Sequence, residues 1–118
     1  MILRFSLIIV LVGITYLSLT SLEKFIVGND KISHFIAYSI LMFNAGLVFF
    51  KPKKTFLIAI LLCLTYGGLI EVAQHFVPGR SMSRYDMVAN ALGIGIGVVL
   101  TYLLYRPVIR ILQSRRII

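Results

Sequence analysis

The 118 residues carry a formal charge of +8, and 59% of them are hydrophobic while only 14% are charged. A mean hydropathy of +0.98 lies outside the range of soluble domains. The apolar residues run in continuous blocks instead of alternating with polar ones, as membrane-spanning helices do, and too few polar residues remain to cover a water-soluble core. The basic residues sit at the ends of those blocks, where they anchor the interface and set orientation, a placement that argues against a nucleic-acid partner. The single cysteine, Cys63, lies in mid-block with no partner for an internal disulfide and reads as a small packing residue.

Taken in chain order, four spans of near 20 residues can be drawn, at 5–22, 32–50, 56–77 and 87–105, followed by a basic tail at 106–118. Together they predict an all-α integral membrane protein: a four-transmembrane-helix bundle forming one domain over residues 1–118. The first block follows Arg4 and could be a signal peptide. Its apolar run is longer than an ordinary signal core, however, and Ser18-Leu19-Thr20 makes a poor cleavage site, so it reads as an uncleaved first helix. Arg4, Lys51, Lys53, Lys54, Arg106, Arg110, Arg115 and Arg116 fall on one side, against Lys24, Lys31, Arg80 and Arg84 on the other. The positive-inside rule therefore predicts that both termini and the middle loop are cytoplasmic. All four acids and both histidines then fall in the outer half, so a polar site would face outward. The tail reads as a topology signal in contact with anionic lipid.

The chain's most informative stretch is 66–97, where an apolar helix acquires Glu71, Gln74 and His75, turns at Pro78-Gly79-Arg80, and re-enters apolar sequence through Ser83, Asp86 and Asn90. Ionisable residues in membrane helices are costly and face a bundle interior or a functional pathway. On the second span Asp30, His34 and Tyr38 recur at i, i+4, i+8, one helical stripe, with Lys31 beside them. An N-terminal cap with an interfacial tyrosine would account for Asp30 and Tyr38, but not for His34. On the third span Gly67, Glu71, Gln74 and Pro78 share a face. Glu71 should point into the bundle, as a site residue or as a helix-pairing hydrogen-bond partner. His75 points about 100° away from Gln74 and reads as interfacial.

Arg80 offers a planar, always-charged fork suited to carboxylate or phosphate, or simply snorkels to the surface. Ser83 and Asp86 have capping-box spacing and would start the fourth helix. Asn90, on the Asp86 face, adjoins a small-residue ridge at Ala89, Gly93 and Gly97 that permits close helix approach. The GIGIG run at 93–97 has no strand before it and reads as helix packing, not as a nucleotide loop. Zinc spacing is lacking, no metal is assigned, and a carboxylate site for a harder cation would need Asp30, Glu71 and Asp86 together. A Ser83–His34–acid triad has no nucleophile-elbow pattern behind it.

Two blocks carry a resemblance: D-K-x-x-H-F-x-x-Y-x-x-L at 30–41, and E-x-x-Q-x-F-x-P-G-R-x-x-S-x-x-D-x-x-x-N-x-x-G at 71–93. Together, in this order, they resemble the VanZ-like family. The resemblance implies a small multi-pass protein of the bacterial plasma membrane, whose name-giving relative is associated with low-level resistance to the glycopeptide teicoplanin. Family motif positions correspond here to Asp30, Lys31, His34, Tyr38, Glu71, Gln74, Arg80, Ser83, Asp86 and Asn90. The expected function is cell-envelope work, or glycopeptide tolerance, through an outward pocket that binds a polar ligand. That ligand would be an anionic lipid headgroup or an envelope precursor, held by Arg80 and Lys31. An intramembrane hydrolase or transferase on a lipid-linked precursor, with His34, Glu71 and Asp86 as catalytic candidates, is the alternative. A ligand-free scaffold is the third reading. The sequence names no cofactor and no oligomeric state.

Overall fold

The computed structural model describes residues 2–19, 30–76 and 84–117. Four helices follow one another: α1 Ile2–Leu19, α2 Asp30–Phe49, α3 Lys53–Gln74 and α4 Arg84–Ser114. There is no strand among the described residues. An all-helical answer is what apolar blocks demand, because a helix satisfies its backbone hydrogen bonds within one segment and needs no water to do so. Ile32–Phe49, Lys53–Gln74 and Met87–Ser114 are long and apolar enough to cross a membrane, whereas α1 contributes a shorter apolar stretch, Ile2–Leu17.

Helix boundaries depart from the apolar blocks for local reasons. α3 starts at Lys53, ahead of the expected 56, because the Pro52 carbonyl accepts the Thr55 and Phe56 amides at 3.0 and 3.2 Å. Lysine is a good helix former, so its charge does not delay the helix. The same helix ends at Gln74, before the expected 77, with Pro78 ahead disfavouring helical backbone in the residue it follows. α4 starts at Arg84, directly after the expected cap position, and Ser83 itself lies outside the described residues. It does not stop at 105. It continues through Pro107 to Ser114, 31 residues in all, so most of the basic tail is helix. At about 1.5 Å per residue this one helix matches the 46 Å longest dimension of the molecule. Its end is a Schellman motif: Arg116 adopts a φ of 55°, with Ile117 N–H bonded to the Leu112 carbonyl at 2.9 Å and Arg116 N–H to that of Gln113 at 3.0 Å.

The most extensive helix pair is α2 with α4. Contacts from Phe35 to Gly93, from Ser39 and Met42 to Gly97, and from Gly46 to Thr101 advance together along both helices, so the pair runs parallel. The small-residue ridge foreseen on α4 is this contact face. A Cβ on Gly93 would overlap the Phe35 carbonyl, and one on Gly97 would stand 2.5 Å from Met42 Cβ and 2.8 Å from the Ser39 carbonyl. At the opposite end from the polar hairpin, Phe50 packs against Phe56 (5.1 Å), Tyr102 (5.3 Å) and Tyr105 (4.5 Å), fastening the α2–α3 corner onto α4. Lys51 lies over the Tyr105 ring at 5.8 Å. α1 is held through side chains: Tyr66 meets Thr15 Oγ1 at 2.5 Å and donates to the Leu11 carbonyl at 3.2 Å, while Asn44 donates to Ser6 Oγ at 2.9 Å.

The distribution of side chains is inverted relative to a soluble protein. Leu61, Leu62, Leu69 and Leu103 are among the exposed residues, while His34, Glu71, Gln74, Asn90 and Thr101 are buried. Only an apolar surrounding makes that arrangement favourable. Cys63 takes its place in the buried core with Tyr38, Met42, Phe56 and Ile94, the packing role expected of it.

Candidate functional site

α2, α3 and α4 each bring polar side chains to the end of the bundle nearer the 76–84 connection. On α2, His34 and Tyr38 are one turn apart and their rings stack nearly parallel, with centroids 6.4 Å apart and planes 9° apart. Both are buried. From α4, Asn90 is 3% exposed and meets His34 across the close α2–α4 contact, His34 Nδ1 to Asn90 Oδ1 at 2.8 Å. Since an amide oxygen can only accept, Nδ1 carries the proton, and the amide nitrogen Nδ2 is left as a donor pointing elsewhere. From α3, Glu71 is fully buried and lies within electrostatic range of Tyr38, and Gln74 is 2% exposed. Glu71, Gln74 and His34 each engage in further interactions, so the carboxylate is held inside the bundle as expected. It sits in the last turn of α3, shallower than a helix running to 77 would place it.

Gly67 is where the three helices meet. A Cβ there would come within 3.2 Å of the Tyr38 ring and 3.5 Å of Asn90 Nδ2. The cluster's buried polar atoms with no hydrogen-bond partner among the described residues include Tyr38 Oη and Asn90 Nδ2. Buried polar groups are nearly always satisfied, so such orphans in one cluster require an explanation. Tyr66 flanks Tyr38 at 6.1 Å, with planes tilted by 42°.

Five of the ten expected positions (His34, Tyr38, Glu71, Gln74 and Asn90) are thus buried on facing helices. Asp30 and Lys31 occupy the first turn of α2 and Asp86 the first turn of α4, but their side chains lie outside the described residues, as do Arg80 and Ser83 altogether. His75 is exposed and packs edge-on against Phe76 at 5.4 Å, away from the cluster. Sequence reasoning missed Tyr66 and Thr15. A tyrosine and a threonine inside apolar runs give no cost signal of the kind that drew attention to Glu71, and their 2.5 Å contact joins residues 51 positions apart.

The family model described as VanZ/LLP1 matches residues 4–105, a stretch that takes in α2, α3, most of α1 and α4, and both polar blocks. The chain belongs to the VanZ/LLP1 family. It is 32% identical over 80 residues to the uncharacterized protein C11E3.10 of Schizosaccharomyces pombe, across 66% of this chain and 49% of that protein. This VanZ/LLP1 chain therefore spans about half the length of the curated relative it matches. No solved structure matches it. A family with a fission yeast relative is not confined to bacteria, so membership alone does not carry the bacterial origin or the antibiotic phenotype that the resemblance implied.

Proposed function

We propose that this VanZ/LLP1 chain crosses the membrane four times with both ends cytoplasmic, and that its polar cluster, beneath the outer surface, binds the polar part of a membrane lipid. The observation that supports this is that two buried groups of the cluster, Tyr38 Oη and Asn90 Nδ2, have no hydrogen-bond partner among the described residues. Depth agrees: Glu71 is three residues from the end of α3 and Asn90 six residues into α4, or roughly 5–9 Å from the helix ends at 1.5 Å per residue. That range runs from the headgroup to the glycerol and ester groups, well short of the bilayer centre. Arg80 and Lys31 would hold the phosphate, with Glu71, Gln74 and Asp86 arranging hydrogen bonds around it. A ligand shared with a relative in fission yeast is more naturally a glycerolipid than a peptidoglycan precursor. Glycopeptide tolerance would then follow indirectly, through the lipid surface on which envelope precursors are handled.

The test replaces Arg80→Gln, Glu71→Gln and Asp86→Asn singly and measures two things at equal expression: phospholipid phosphorus retained on protein purified in mild detergent, and host tolerance of a teicoplanin-type glycopeptide. Arg80→Gln should lose most of the retained phosphorus at little cost in thermal stability. Wild-type retention in all three variants removes the reading.

A further inference from the structure

Beside the cluster, a recess of about 70 Å³ opens between α3 and α4. Leu64, Gly67 and Gly68 form one wall, and Met87, Asn90 and Ala91 the other. It exists because the residues facing each other are small. No atom lies within 4 Å of a Cβ built on Gly68. Its rim is apolar and outward-facing, Leu64 and Met87 each being 41% exposed. One polar side chain lines it, Asn90, 3% exposed, whose Nδ2 has no partner. Asn90 Oδ1 faces His34 Nδ1 at 2.8 Å, which leaves Nδ2 as the other arm of the amide.

Resting on the lipid reading above, we propose that this recess is a lateral entry from the bilayer, in which Asn90 Nδ2 donates to the acyl-ester carbonyl of a glycerolipid. An orphan donor calls for an acceptor, and an ester carbonyl has no hydrogen to give. An apolar rim excludes a ligand that must arrive through water and admits one that arrives through hydrocarbon. A space of this size takes a group of a few heavy atoms, since one water needs only about 10–15 Å³. The order along α3 is that of a lipid: Gln74 and Glu71 at headgroup level, Gly67 and Gly68 one turn below at the ester, and Leu64 a further turn down beside the acyl chain. Gly67 lets the Tyr38 ring and the Asn90 amide approach the same point, a Cβ there lying 3.2 Å from the ring and 3.5 Å from Nδ2.

The experiment compares thermal unfolding of delipidated protein in detergent with three additions: phosphatidylglycerol with ester-linked chains, the same lipid with ether-linked chains, and its water-soluble deacylated headgroup. Ester lipid should raise the midpoint of the wild-type chain by about 5 °C, as a ligand well above its dissociation constant does, and ether lipid by less than half as much. Gly68→Leu, which fills the recess where there is open space, should abolish the ester–ether difference while keeping the lipid-free midpoint. Ala91→Leu fills it from the other wall and serves if the first variant folds poorly. Equal shifts with both lipids in the wild-type chain, the result expected if the recess holds only water, overturn the proposal, as does an ester–ether difference that survives both fillings. If the lipids act alike, or the headgroup alone acts, and Arg80→Gln removes the effect, headgroup binding stands and lateral entry falls. If nothing shifts the midpoint, both fall.

Discussion

Two tyrosines 6.1 Å apart illustrate how differently one residue type is used in this bundle. The Tyr66 hydroxyl bridges α3 to α1 through Thr15 and the Leu11 carbonyl, whereas the Tyr38 hydroxyl, on a residue only 1% exposed, has no hydrogen-bond partner among the described residues. Removing each hydroxyl should therefore change stability with opposite sign. Tyr66→Phe should lower the unfolding free energy in detergent by about 0.6 kcal/mol, the average for an inter-helix hydrogen bond in a membrane protein. Tyr38→Phe should leave lipid-free stability unchanged or raise it by about 1 kcal/mol, because a buried orphan group is removed, and should at the same time reduce retained phospholipid. A fall in stability equal to that of Tyr66→Phe would show that the Tyr38 hydroxyl is structural. His34, Glu71 and Asn90 were legible in the sequence because polar or ionisable side chains in apolar helices are expensive and need a reason to be there. Tyr66 was not: an aromatic ring sits in such a helix at no evident cost, and only the fold reveals what its hydroxyl reaches.

At the scale of the helices, the glycines of α4 divide sharply. Gly93 and Gly97 bring α4 against the α2 backbone, while a Cβ on Gly95 would meet nothing within 4 Å. Gly93→Ala should cost about 1–3 kcal/mol, since the atom it meets is a backbone carbonyl that cannot step aside. Gly95→Ala should be neutral or stabilising by up to about 1 kcal/mol, because alanine is the better helix former. Chemical or thermal unfolding of the two variants side by side would check this, and equal losses would mean that α2 and α4 do not pack as described. The ridge at Ala89, Gly93 and Gly97 was visible as a spacing, but not the helix it would face. The ends of the helices were less legible than their existence. Hydropathy marks where lipid stops, whereas Pro52 decides where α3 starts and the Schellman turn after Ser114 where α4 stops.

For the whole molecule, the long α4 and the α2–α3 corner gather Lys51, Lys53, Lys54, Arg106 and Arg110 around one end, with the polar cluster toward the other. The proposed orientation follows from this by the positive-inside rule, each basic residue contributing about 1 kcal/mol near an anionic surface. With Cys63 replaced by alanine, a cysteine at Gln113 should react with a membrane-impermeant thiol reagent only after cells are opened, and one at His75 should react in intact cells. The reverse pattern would invert the proposed topology. The proposed orientation rests on charge alone, which the sequence carries in full. Which residues of α2 meet which of α4 could not be read from it, because the two helices are separated by the whole of α3 and the glycine ridge does not name its partner.

The claim on which the account depends is that α2 and α4 place their polar residues in mutual contact inside the membrane. A double-mutant cycle on His34→Ala and Asn90→Ala, read as unfolding free energy in detergent, tests it most directly. The account predicts a coupling of roughly 0.5–1.7 kcal/mol, the span of measured hydrogen bonds between membrane helices. Additivity within about 0.3 kcal/mol would mean that the two side chains act independently, and would contradict it.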